Sequence, residues 1–217
     1  MIVTIDGPAG SGKSTAARGL AHRLGFDYID TGAMYRAVAH RCLESGLDPS
    51  DAESVTALAG KMLMSFDGPD LLLDGTNIGR MLRRPTISEA ASQVAQIPGV
   101  REALVRQQQA MVSLGDLVTE GRDQGTVVFP DAECKFFLEA SPEVRAARRQ
   151  EELKARGVDI PLEETLEQIR QRDHRDRTRA ISPLRPADDA VVLDSSHLNP
   201  DEVLDALASL VRGRMTD

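Results

Sequence analysis

The octapeptide Gly7-Pro8-Ala9-Gly10-Ser11-Gly12-Lys13-Ser14 satisfies the phosphate-loop pattern, in which a glycine and four free positions precede Gly-Lys-Ser or Gly-Lys-Thr. Such a loop works only between a strand and a helix, and this one has both. Ile2-Val3-Thr4-Ile5 reads as a short buried strand, and residues 14–24 carry Ala17, Leu20, Ala21 and Leu24 at helical spacing. The glycines let successive backbone N–H groups turn inward at a positive helix end, which makes an anion nest. Residues Gly7 to Thr15 would therefore hold a triphosphate. Lys13 would reach its outer phosphates, and the Ser14 hydroxyl would take Mg²⁺. A turn that matches by chance would not be expected to bring the strand, the helix and both side chains together. The loop implies nucleoside triphosphate binding and leaves the use of the nucleotide open.

The rest of the chain follows the same alternation. Residues 26–30 read as a second strand, with Thr31 capping a helix that carries Met34, Val38 and Cys42 and stops at Gly46. Ser50 and Glu53 have capping-box spacing for a helix to about Met64. Turn clusters 67–70 and 74–77 bracket Leu71-Leu72-Leu73, predicting a small antiparallel meander. Thr86 with Glu89, and then Pro98, open two further helices, the second with Val100, Leu104 and Met111 on one face. Strands are expected at 117–120, 134–138 and 190–194, and helices after Ser141, near Pro161 and after Asn199. The strands are near-continuous apolar runs, as in a sheet covered on both sides. The expected fold is α/β: a P-loop NTPase-type five-stranded parallel sheet with helices on both faces and a small antiparallel insertion before the third strand.

Composition narrows the function. A chain of 217 residues suits one domain, with 41% apolar and 28% charged residues. No stretch approaches a membrane span, and the opening strand leaves no room for an export signal, so a cytoplasmic protein is expected. Cys42 and Cys134 are far apart and read as reduced, buried thiols. The net charge of −8 argues against a nucleic-acid polymer as partner. Yet residues 145–179 hold ten Lys/Arg against eight Asp/Glu, leaving sixteen against twenty-six elsewhere. A small polyanion bound locally would explain that stretch; a solvated helix face is the plain alternative.

Ligands of open α/β sheets bind beyond the carboxyl ends of the strands. The phosphate loop, Asp30-Thr31-Gly32 and Glu120-Gly121-Arg122-Asp123 fall there. Arg36 and Arg122 stand where a planar guanidinium can grip two phosphate oxygens. No His, Asp or Glu stands out as a general base; His22, His40 and His197 read as surface residues and His174 lies among charges. An acceptor that is itself a phosphate needs none, since its second pKa near 6 makes it a dianion at neutral pH. Switch GTPases and motor ATPases are the alternative class. The chain lacks their Asn-Lys-x-Asp signature and a strand-end Asp beside the attacking water, although Glu120 could substitute.

With these residues assembled, the chain resembles the bacterial cytidylate kinases, a nucleoside monophosphate kinase family, nearly end to end. The segments that carry the resemblance are Ile5-Asp6-Gly7-Pro8, the run Asp30-Thr31-Gly32-Ala33-Met34-Tyr35-Arg36, and Ala91-Ser92-Gln93-Val94-Ala95. Arg172-Asp173-His174-Arg175-Asp176-Arg177 adds to it, and the most specific run is 121–131. The resemblance implies ATP as donor, Mg²⁺, and CMP or dCMP as acceptor. It implies a cytosine pocket of Thr31, Arg101 and Asp123, an acceptor phosphate met by Arg36, Arg122 and Arg179 with Tyr35 beside them, and Ser92, Arg172 and Asp176 near the sugar. It further implies an acceptor-binding insertion at about 60–95 and a helical lid at about 142–180, whose Arg148 and Arg149 close over ATP while Arg170 stays solvated. Thr31 stands where many relatives have serine, and Gln124 where many have an apolar residue. Adenylate or uridylate kinases and shikimate-type kinases are the neighbouring readings. A monomer is expected, because no long apolar surface helix asks for a partner.

Overall fold

A computed structural model describes residues 1–79, 81–155 and 157–215. In chain order the elements are β1 (Ile2–Asp6), α1 (Lys13–Leu24), β2 (Asp27–Asp30), α2 (Thr31–Glu44), α3 (Ala52–Ala59), β3 (Met64–Asp67), β4 (Asp70–Leu73) and β5 (Thr76–Asn77). There follow α4 (Pro85–Val94), α5 (Pro98–Ala110), β6 (Leu117–Gly121), β7 (Cys134–Glu139), α6 (Pro142–Lys154), α7 (Leu162–Thr178), β8 (Val191–Asp194) and α8 (Pro200–Met215). The five-stranded sheet has the order β2-β6-β1-β7-β8, and β3-β4-β5 form a separate antiparallel sheet. In the parallel sheet Asp6 pairs in register with Phe137, and Phe137 with Val192. The strand order puts β1 and its phosphate loop at the centre, between β6 and β7. This is the α/β architecture that the alternation of apolar runs and amphipathic helices demands.

The chain forms two compact units, residues 1–26 with 118–217, and residues 27–117. In the first, α1 buries Ala16, Ala17, Leu20 and Ala21, and α8 buries Val203, Leu207, Ala208 and Val211; the two helices pack together. Each buried leucine there is worth about 1.5–3 kcal/mol over leaving it in water. Helix starts are fixed by local chemistry. The Ser141 hydroxyl accepts from the Val144 N–H at 3.3 Å. At α8, Asn199 Oδ1 accepts from Asp201 and Glu202 N–H, while Glu202 returns a carboxylate to the Asn199 N–H at 2.8 Å, a complete capping box.

The second unit has its own core, in which α2 packs on α4 and α3 on α5 around Met34, Val38, Cys42, Val55, Val100 and Leu104. Leu71 and Leu73 of the meander and Ile87 of α4 join it. Three helix starts differ from the sequence reading. Asp30, not Thr31, caps α2, its Oδ1 taking the Ala33 N–H at 2.9 Å, because a carboxylate placed before the first turn answers the helix dipole. Asp51, not Ser50, caps α3. Asp48 instead binds the N–H and hydroxyl of Ser50, so that serine is spent on the preceding turn. Helix α4 starts at Pro85, one residue ahead of Thr86; a first-turn proline lacks only an N–H that would have had no partner there. Helix α3 also stops at Ala59, because Met64 opens β3.

Candidate active site

The phosphate loop is shaped by its backbone. Gly7 has φ 150°, and a Cβ there would stand 2.0 Å from the carbonyl oxygen of Leu138, so no larger residue fits between β1 and β7. Gly12, at φ 90°, turns the chain into α1, with Lys13 as its first residue. Ser195, buried at the end of β8, donates its hydroxyl to the Ser11 carbonyl at 3.1 Å. Pro8 and Ser11 are buried, while Gly12, Ser14 and Thr15 form the exposed lip. This is a preformed cup of N–H groups at a helix N-terminus, the arrangement that binds phosphates.

Two ionisable groups lie beneath it. Lys13 is buried, and its Nζ donates to the Pro8 carbonyl at 2.8 Å. Burial, with the nearby cations Arg122 and Arg172, lowers its pKa from 10.5 to about 7, against the opposing pull of Glu120 and Asp6. Asp6 ends β1 and accepts from the N–H of Gln124 at 2.9 Å and of Gly125 at 2.8 Å. Burial raises its carboxyl from 3.8 to about 7 despite those two bonds. The Ser14 hydroxyl donates to Glu120 Oε1 at 2.5 Å. A hydroxyl and a carboxylate at the loop are hard oxygen donors of the kind Mg²⁺ accepts. The described residues contain no cluster of three or more His, Cys, Asp or Glu able to cage a metal.

At the end of β6 stand Arg122 and Asp123. Arg122 Nε donates to Asp176 Oδ2 at 2.8 Å. Burial alone would pull the arginine's pKa down, but the carboxylates of Asp176, Glu120 and Asp173 hold it above its ordinary value. Burial likewise pushes the Asp176 carboxyl up, and Arg122, Arg172 and Arg179 reverse this to leave it below the usual carboxylate range. Asp123 is buried, with Arg179 at 3.8 Å. The next residues make one wide π-type turn, Gln124–Val128, closed by the Phe129 N–H on the Gln124 carbonyl at 2.7 Å. Such turns recur at functional sites because they re-aim the side chains beside them. The polar Gln124 is accommodated by Thr119, whose hydroxyl donates to its Oε1 at 2.9 Å.

In the unit spanning 27–117, Arg36 donates to Asp30 at 2.8 Å. Arg101 is buried on α5 and lies over the Tyr35 ring, 5.5 Å from its centroid, donating also to the Ala95 carbonyl at 3.4 Å. Thr31 is buried at the start of α2. The hydroxyl of Ser92 on α4 is buried without a hydrogen-bond partner among the described residues, an arrangement that favours a ligand polar group.

The arginine-rich stretch divides. Arg148 donates to the Ser195 carbonyl at 2.6 Å and to its hydroxyl at 3.1 Å, and Arg149 pairs with Glu152 at 3.1 Å on the surface. Arg170 is exposed beside Glu143, as a solvated residue should be. His40, read as a surface residue, is partly buried 3.4 Å from Glu44, and Cys42 and Cys134 are buried free thiols. The sequence reading passed over Asp6, Arg145, Asp173 and Ser195. For Asp6 a signal existed, a charged residue closing a buried strand immediately before the loop. For Asp173 it was the spacing to Asp176, which sets two carboxylates on one helix face.

Residues 3–213 match the family model described as cytidylate kinase. The cytidylate kinase of Caldanaerobacter subterraneus subsp. tengcongensis is 46% identical over 210 residues, covering 97% of this chain and 94% of the relative. That of Vibrio cholerae is 44% identical over 218 residues, covering 99% and 97%. Among solved structures, an uncharacterized protein from Eubacterium ventriosum superposes with a TM-score of 0.50 at 10% identity, covering 100% of this chain and 99% of that one, a likeness of fold alone. The chain belongs to the cytidylate kinase family.

Proposed function

We propose that this chain transfers the γ-phosphate of ATP to CMP or dCMP, giving ADP and CDP or dCDP, in pyrimidine nucleotide metabolism. The observation that carries the reading is the strand end at Arg122 and Asp123, a half-buried cation beside a buried carboxylate in the unit that also holds the phosphate loop. It is supported by membership of the cytidylate kinase family. Phosphoryl transfer needs positioning and neutralised charge more than a covalent partner. Residues 7–15 hold ATP, with Lys13 on its outer phosphates. Ser14, backed by Glu120, would hold Mg²⁺, which neutralises charge on the β and γ phosphates. Arg36, Arg122 and Arg179, with Tyr35, receive the acceptor phosphate, already a dianion at neutral pH.

Cytosine is chosen by complementary hydrogen bonding. Asp123 accepts from the exocyclic amine and Arg101 donates to ring acceptors, with Thr31 adding a hydroxyl. Uracil places a carbonyl where the amine would be and leaves a buried carboxylate unmatched. Ser92, Arg172 and Asp176 hold the sugar. Residues 60–95 serve the acceptor and residues 142–180 act as a lid over ATP, bringing Arg148 and Arg149 to it. The enzyme acts as a cytoplasmic monomer. No helix among the described residues is long and apolar enough to cross a membrane.

The test is an ADP-release assay with ATP, Mg²⁺ and a panel of CMP, dCMP, UMP, AMP and shikimate. Turnover greatest with CMP and dCMP is expected. Comparable turnover with AMP, or none with CMP, would overturn the assignment, and substantial hydrolysis without acceptor would favour a switch ATPase or GTPase.

A further inference from the structure

Arg145, at the start of α6, is almost wholly buried. Its guanidinium is engaged four times. Nε donates to the Ala140 carbonyl at 2.8 Å, and two parallel bonds run to Asp173 of α7, at 3.0 and 2.7 Å. The remaining bond goes to the phosphate loop itself, from Nη1 to the Ala9 carbonyl at 3.2 Å. A second, independent contact joins the same two places. Gly10, at φ 77°, lies so close to α6 that a Cβ on it would stand 3.2 Å from both the Cβ and the carbonyl oxygen of Arg145. The crown of the phosphate loop is therefore seated on one arginine, and that arginine is oriented by one carboxylate.

We propose that Asp173 and Arg145 form a positioning pair that sets the Pro8–Gly10 crown of the phosphate loop for the nucleotide donor, and that Arg145 acts through the loop carbonyl and not as a phosphate ligand. The inference rests on the reading that this loop binds ATP. The fork of Asp173 removes the rotational freedom of the guanidinium, so the second N–H of Nη1 points at Ala9. That bond turns the Ala9 carbonyl away from the cup and leaves the neighbouring N–H groups free for phosphate oxygens. One helical turn further along α7, Asp176 does the corresponding work for Arg122. Two carboxylates on one face of α7 thus fix two arginines with different duties, one behind the donor loop and one at the acceptor strand end.

The experiment measures ATP binding by calorimetry, and Michaelis constants for ATP and CMP, in Asp173→Asn, Arg145→Lys and the paired change R145M/D173L, each well below its melting midpoint. Asp173→Asn leaves a buried arginine without its counter-charge and is expected to melt early. Arg145→Lys keeps the charge but cannot form the fork while reaching Ala9. The apolar pair removes both charges together, a replacement that usually restores stability. In all three, ATP affinity should fall about tenfold or more, the equivalent of one charge-assisted hydrogen bond, while the CMP constant moves less than about threefold.

ATP affinity within about twofold of the native protein, in any variant that melts cooperatively, would overturn the proposal. So would recovery of affinity in step with the melting midpoint of the apolar pair, since that is the behaviour of a purely structural bridge. If the pair does not regain the midpoint, Arg145→Lys decides alone. The native protein reports separately on the underlying reading: ATP binding without CMP turnover refutes the acceptor assignment and leaves this test intact.

Discussion

Lys13 is a buried cation and Arg122 a half-buried one of the same unit, and their surroundings treat them in opposite ways. Lys13 donates to a carbonyl at 2.8 Å, and burial first, then the cations Arg122 and Arg172, lower its pKa to about 7. Arg122 has a carboxylate at 2.8 Å and is held above its usual value. A triphosphate at the loop would supply the counter-charge that favours the ammonium form of Lys13. At the end of β6 Arg122 already has the carboxylate of Asp176, so an acceptor phosphate bound there, as proposed, would exchange one anion for another. On the proposed reading, ATP affinity would draw on charging Lys13, whereas choice of acceptor would depend on matching a preset arrangement of charges.

Removing the donor cation should have the largest effect. Lys13→Met is expected to lower turnover with CMP about 10³-fold, the scale of losing a preorganised charge that acts on the transition state. A fall of less than about tenfold in the ADP-release assay would break the contrast. On the acceptor side Asp123→Ala should lower kcat/KM for CMP about 100-fold and leave the ATP constant within about twofold, because only the base contact is lost. An unchanged CMP constant and turnover would remove Asp123 from the base pocket.

The smallest expected effect is on pH. With a pKa of about 7, Lys13 of the free protein is mostly neutral at pH 8. The phosphates of ATP favour its ammonium form, so binding takes up a proton and affinity weakens as pH rises above 7, by at most about tenfold per pH unit. Calorimetry in two buffers of different ionisation enthalpy should detect that uptake at pH 8 and find little at pH 6, where the ammonium is already formed. Equal signals at both would mean that Lys13 is charged throughout. The same shift has a stability sign. Between about 7 and 10.5 the unfolded chain holds the proton that the folded chain has lost, so Lys13 adds to stability as pH rises through that window and subtracts as it falls.

The two regions also differ in how far they could be read without coordinates. The phosphate loop works through backbone turns and one lysine at fixed spacing, and that information is local. Its residues therefore announced the strand, the loop and α1 with boundaries correct to a residue. The acceptor residues lie far apart in the chain and came from resemblance to a family. No local rule pairs Arg122 with Asp176, 54 positions away, or seats Arg101 over Tyr35. Helix starts were legible where a single residue could cap, as at Ser141 and Asn199. They slipped where two candidates stood side by side, as with Asp30 and Thr31 or Ser50 and Asp51. At Ser50 the choice turned on the preceding turn, where Asp48 had already engaged the serine; at Asp30 it turned on a carboxylate placed ahead of the first turn.

By itself the sequence determined the α/β alternation, the meander inserted ahead of the third parallel strand, and the strand, loop and helix around Gly7 to Thr15 that are proposed to hold the triphosphate. These follow from hydrophobic period and backbone stereochemistry, which act over a few residues. Tertiary structure alone decided which charges would meet. It placed Asp6 under the turn after β6, Glu120 on the Ser14 hydroxyl, and Arg145 between Asp173 and the phosphate loop. The physical reason is that a buried charge has to find its counter-charge wherever the packed chain brings one, and packing is set by the whole core and not by neighbours in sequence.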